Sequence, residues 1–284
     1  MTTSRSEILL KAFLQECSPE KQSRLESFLS ESKRLDVQEA PRIGKAPSGA
    51  LLPDSLLNHV HWSWLLPILK TYSEPEQVAF LSALSPSSAH RLSSSLQLVT
   101  PLAVLTEVAK SYFCELLERD LLLHKESLLP RDCLPPSPLN ELLHLSKNQL
   151  IHLVNLLSLH DLALELRQIV ETKILKKIYS FLTEEERKRL KEISSHKESF
   201  PLSRLPLDRW DGQEESLRLF LHRRGLARLS YALAHQDPDL IWYISHRLDI
   251  GRGSHLLTLC AKEASSEPSE TLVREIEELL RNYL

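Results

Sequence analysis

The stretch LHDLALELRQIVETKILKKIYSFLTEEERKRL, residues 159–190, decides how the chain is read. It carries no glycine, no proline and no metal-ligand spacing, yet its apolar positions recur with a helical period. Just upstream, Leu150, Leu153, Val154 and Leu157 fall at i, i+3, i+4 and i+7, one buried stripe of a helix. Leu153 is expected inside and His152 on the neighbouring face. Ser158–His160 reads as a turn, with Asp161 opening a second helix that aligns Leu162, Leu166 and Ile169. A bend near Thr172 precedes Ile174, Ile178 and Leu182. Thr183 with Glu186 three residues on forms a capping box for the next helix. The segment specifies packing and places no reactive group.

The same period dominates outward in both directions. Residues 6–34 fit two short helices, the first capped by Ser6 and the second opened by Ser18–Pro19, with Leu25, Phe28 and Leu29 on one face. Residues 36–54 hold three prolines, two glycines and no periodicity, and read as a linker that sets 1–35 apart as a helix pair. Helical blocks follow at 55–128, 139–198 and 214–284, separated by the proline-rich breaks 129–140 and 199–213. No segment alternates with period two. The predicted fold class is all-α, with short antiparallel helices in two to three small bundles.

Composition narrows the function classes. The chain has 284 residues, 42% of them hydrophobic and 26% charged, enough for real cores under a solvated surface. Six glycines against 16 prolines argue against phosphate-cradling loops. A net charge of −3 gives no general attraction to nucleic acid or anionic lipid. Cys17, Cys114, Cys133 and Cys260 stand far apart and read as reduced thiols. His235, His246 and His255 are too widely spaced for a metal constellation. Asp237–Pro238–Asp239 suits a helix start, and Gly251 a helix C-cap. The first residues lack a signal-peptide core, and the longest uncharged stretch, 92–106, is too short to span a bilayer. These features imply a cytoplasmic protein with no cofactor, no metal and no catalytic group. Trp62 and Trp64, if helical, project about 200° apart, so one belongs to a core and the other to the linker or a partner.

Two blocks resemble a known family. QLIHLVNLLSLHDLALELRQ (149–168), KILKKIYSFLTEEERKRL (173–190) and SEPEQVAFLSALSPSSAHRL (73–92) are similar to helical repeats of the FliG flagellar motor-switch family. The last matches its middle domain at Pro75, Ala79, Leu81, Ser82, Leu84, Pro86, Ala89 and Leu92. GLARLSYALAHQDPDLIWYISHRLD (225–249) has a similar rhythm. The departures are informative. Where that family binds its next rotor protein through Glu-His-Pro-Gln, this chain has Ser73, Glu74, Pro75 and Glu76. Where its C-terminal helix presents charges for torque, helix 147–157 has Asn148, His152, Asn155 and Leu156.

A FliG-like scaffold without torque charges resembles an accessory protein of type III secretion. The resemblance implies a non-enzymatic adaptor between a membrane-ring protein's cytoplasmic tail and the sorting platform. It also implies partner contacts at Leu25, Phe28, Leu29, Trp62, Trp64, Glu74, Pro75 and Glu76. A flagellar rotor component, or a generic helical-repeat chaperone or effector-binding module, is the alternative.

Overall fold

A computed structural model describes residues 5–40, 55–123, 125, 128–195, 207, 210–263 and 270–283. The described residues form α-helices joined by short turns and contain no strand. The helices are α1 (Arg5–Glu16), α2 (Pro19–Glu26), α3 (Glu31–Glu39), α4 (Leu65–Leu69), α5 (Glu74–Ala83), α6 (Pro86–Leu96) and α7 (Glu107–Leu121). They continue with α8 (Lys147–Leu166), α9 (Thr172–Phe181), α10 (Glu184–Ser195), α11 (Glu214–Leu233), α12 (Pro238–Arg247), α13 (Ile250–Glu263) and α14 (Glu270–Tyr283).

The starts are written locally. Ser73 gives its N–H and hydroxyl to the Glu76 carboxylate, and Pro75 sits in the first turn of α5. Thr106 accepts from the Ala109 amide, Ser146 from the Gln149 amide, and Asp237 from the Asp239 amide. The expected box at Thr183 forms in both directions.

The helices fall into two compact units: Met1–Ser137 with Asp237–Gly253, and Pro138–Gln236 with Ser254–Leu284. The first has a core of Leu65, Leu69, Phe80, Leu81, Ala89, Leu92 and Leu117. Phe80 meets Tyr72 at 4.7 Å and Phe113 edge-on at 5.4 Å between ring centroids, favourable aromatic geometry. A second layer forms around α12. His246 is sandwiched between Trp64 and Trp242, at 4.0 and 3.9 Å. The Trp64 indole donates to the Leu248 carbonyl at 2.9 Å. Buried Asp239 takes the Leu129 amide at 2.9 Å and pairs with Lys125 at 2.7 Å. Gly253 passes so close to this layer that a Cβ there would lie 2.3 Å from the Ser245 carbonyl.

In the second unit α8 packs along α11, with α10 and α14 beside α8. The α8–α11 approach depends on Gly225, where a Cβ would lie 1.7 Å from the Val154 carbonyl. Leu150, Leu153, Val154 and Leu157 are buried, as their spacing predicts. Threaded through this core is an ion cluster. Fully buried Arg228 holds Asp161 at 2.8 Å and grips both oxygens of Glu275 at 3.0 and 2.9 Å. Arg224 reaches Asp161 at 2.9 Å, and His160 lies 3.4 Å from Glu275. Burial pushes the Asp161 carboxyl above its usual range, while Arg228 and Arg224 pull it back.

Several expectations are corrected. No turn separates Ser158 from His160, because α8 runs unbroken to Leu166. The polar run that reads as a turn is instead buried: the Ser158 hydroxyl bonds the Asn155 carbonyl, and Asp161 meets the arginines of α11. Gly251 is not a C-cap. It lies in the first turn of α13, whose start is capped by Asp249 accepting from the Arg252 amide. Ser6 is not a cap either, since α1 begins at Arg5. The N-terminal part has three helices, because Ser30 caps a further one that runs to Glu39 through the expected linker start. The rest of that linker, 41–54, and most of the break at 199–213 lie outside the described residues. The expected block 214–284 does not form one unit. His246 of α12 meets residues 61–64, and Tyr243 and Asp239 meet residues 125–129, which draws 237–253 into the first unit.

Candidate partner-docking groove

A groove of about 580 Å³ lies between α5 and α7 in the first unit. Its floor is Phe80 and Phe113, and its walls include Pro75, Ala79, Tyr112 and Leu116. The walls follow from helix geometry. Pro75 and Ala79 stand four apart on α5, as do Tyr112 and Leu116 on α7, so each pair lines one side. Tyr112 is 57% exposed and meets Phe113 edge-on at 5.8 Å. The groove presents rings without closing over them.

Its ionisable groups already have tasks. Hydrogen bonds from Ser73 hold the Glu76 carboxyl below its usual range. The Tyr72 hydroxyl donates to Asp120, and that bond raises its pKa. Glu74 accepts from the Thr100 hydroxyl at 2.9 Å. The groove holds no thiol or serine paired with a base; its chemistry is an aromatic floor for apolar side chains. The charged residues that line it are one carboxylate, Glu76, and one cation, Arg119.

The structure thus gathers some of the expected contact residues and scatters others. Pro75 and Glu76 line the groove and exposed Glu74 stands next to them. Trp62 and Trp64 do not stand on a regular helix; they flank Ser63 in a 3-10 turn, and neither is exposed. Trp62 packs against the unit's core and Trp64 stacks on His246, so no free indole anchor exists at this turn. Leu25, Phe28 and Leu29 do not share one helix face, because α2 ends at Glu26 and the last two stand in the turn beyond it; Leu25 is 36% and Phe28 77% exposed, and Leu29 is half-buried. Leu9, Phe13 and Leu35 are exposed in the same helical trio. Sequence reading missed Tyr72, Tyr112 and Phe113, whose aromatic spacing on α7 and at the end of α4 was the available signal.

Other features bind nothing evident. Cys133 and Cys260 are buried; burial pushes the Cys260 thiol up to about 12, which leaves it unreactive. Among the described residues no group of three or more histidines, cysteines or carboxylates could hold a metal. Among them no helix is long and apolar enough to cross a membrane. No family model, curated protein or solved structure matches the chain.

Proposed function

We propose that this chain is a non-enzymatic adaptor that docks protein partners, with the α5–α7 groove as one contact. The observation that carries this reading is the exposed aromatic groove bounded by Pro75 and Glu76. It stands at Ser73–Glu76, the residues that take the place of the partner-binding Glu-His-Pro-Gln of FliG-like repeats and keep only its proline. The setting we propose is a type III secretion apparatus, with the groove taking a platform protein and the exposed apolar residues of α1–α3 taking a membrane-ring protein's cytoplasmic tail.

The aromatic floor favours a partner segment with apolar anchors. Calorimetric titration of the full chain with purified ring-tail and platform proteins tests the assignment. Tyr112→Ser is expected to weaken platform binding by tenfold or more and to leave ring binding intact. Phe28→Ser with Leu25→Ser is expected to do the reverse. Platform binding unchanged by Tyr112→Ser would remove the groove from the proposal.

A further inference from the structure

Helix α9 turns its apolar side to the rest of the second unit and its basic side to solvent. Ile178 is fully buried, Ile174, Leu175 and Phe181 are half-buried, and Phe181 meets Trp210 edge-on at 6.2 Å between ring centroids. On the other side Lys173, Lys176, Lys177 and Ser180 fall within an arc of about 100°. All four are exposed. Tyr179, 38% exposed, borders this strip three residues beyond Lys176.

The strip breaks a pattern that other helices of the chain keep. Cations at their surfaces have a carboxylate three or four residues away: Lys110 with Glu107, Arg218 with Glu214, Arg274 with Glu270, and Arg281 with Glu277. Helix α9 contains no acidic residue. Its lysines stand three and four residues from one another, where like charges repel, and Lys173 lies in the first turn against the helix dipole. Among the described residues none of the three makes a close ion pair. Glu185 faces His152, Glu186 holds Arg218, and the Asp211 carboxyl is kept below its usual range by the Ser216 hydroxyl and the Gln213 amide, with a smaller pull from Lys177. The arrangement costs α9 stability without a return inside the unit, and such breaches of local rules belong to functional surfaces.

We propose that the strip of Lys173, Lys176 and Lys177 docks an acidic helical segment of a partner protein. Carboxylates at i, i+3 and i+4 on that segment match the lysines, which span about 6 Å along the axis, and an apolar neighbour covers Tyr179. The strip is short, bounded by exposed Glu171 before it and exposed Glu184 and Glu185 after it. A flat anionic lipid surface reaching the lysines would also meet those carboxylates, on a chain of net charge −3. A single helix covers the strip alone. The contact belongs to the second unit and does not rest on the groove of the first.

Fluorescence anisotropy with the full chain tests it, the probe being a labelled helical peptide of about 20 residues with glutamates at i, i+3 and i+4 on an alanine background. The wild type is expected to bind this peptide, more weakly as salt rises, and not to bind its glutamine version. Lys176→Gln with Lys177→Gln is expected to weaken binding tenfold or more, whereas Arg274→Gln with Arg281→Gln, the same loss of charge on α14, leaves it unchanged. Lys173→Glu separates docking from structure. It gives α9 the carboxylate its lysines lack, so it is expected to raise the melting temperature by about 1–3 °C while cutting affinity tenfold or more. A peptide that does not bind, binding that survives the α9 substitutions, or a Lys173→Glu chain that melts earlier would each overturn the proposal. Tighter binding to phosphatidylserine vesicles than to the peptide, lost in the same variants, would overturn it in favour of a lipid surface.

Discussion

His246 shows how one side chain can set a pH limit. Its ring is locked between two indoles, and burial lowers its pKa from 6.5 to about 4 even though the Trp242 carbonyl accepts its Nδ1 proton. The unfolded chain takes up a proton near pH 6.5 and the folded one resists until about pH 4. Stability is therefore full above pH 6.5 and falls through that window, by about 3 kcal/mol at the acid end. Urea denaturation at pH 7.5 and pH 4.5 measures the loss, and His246→Phe is expected to remove most of it. Arg228 is the opposite case, a buried charge that the core needs. Arg228→Ala takes from Glu275 its two-oxygen partner and leaves Asp161 with Arg224 alone, and is expected to cost about 3–5 kcal/mol. Leu153→Ala is expected to cost about 2–5 kcal/mol, while His152→Ala, at a partly exposed residue 3.3 Å from Glu185, costs under about 1 kcal/mol. Equal denaturation midpoints for these two would contradict the packing of α8.

At the scale of elements, caps and stripes were legible and polar interiors were not. Thr183 and Glu186, Asp237 and Pro238, and the leucine stripe of α8 follow from local rules that tertiary structure did not override. Ser158–His160–Asp161 misleads because sequence alone cannot separate a polar turn from a polar strip facing a buried arginine. Gly251 misleads in a similar way: it reads as a stop, yet it lies inside α13, and Gly253 just after it lets α13 approach Trp64 and the end of α12. The groove was half legible, since Pro75 and Glu76 announce the start of α5 but not that α7 brings Tyr112 and Phe113 alongside. Close approach gives the test at this scale. Gly225→Ala would drive a methyl into the Val154 carbonyl, and forcing α8 and α11 apart is expected to cost at least about 1–3 kcal/mol. A melting temperature unchanged by Gly225→Ala would mean that the two helices slide freely.

For the whole molecule, hydrophobic periodicity was enough for the all-α class, because it needs only neighbours three and four residues away. The division of the chain was not legible, because it depends on contacts such as Tyr243 to the Leu129 carbonyl across more than a hundred residues. A fragment ending at Ser137 keeps the core of Leu65, Phe80 and Leu117 but loses Trp242 and His246. Such a fragment is expected to show near-ultraviolet dichroism without the stacked-indole component, and to bind an apolar dye that the full chain excludes. A fragment indistinguishable from the full chain by both measures would show that α12 is dispensable to the first unit.

The interleaving of the two units has a consequence during synthesis. The ribosome delivers Trp64 and Lys125 long before Trp242, His246 and Asp239, and at 5–20 residues per second the intervening stretch takes about 5–20 s. Arg228 emerges shortly before them, and its acceptor Glu275 follows 47 residues after it. Neither unit can close while the nascent chain stops short of Gln236, and each is completed by a piece of the stretch that follows it. Folding of both units thus waits for residues 237–284, and a chain stalled before them leaves two unfinished cores.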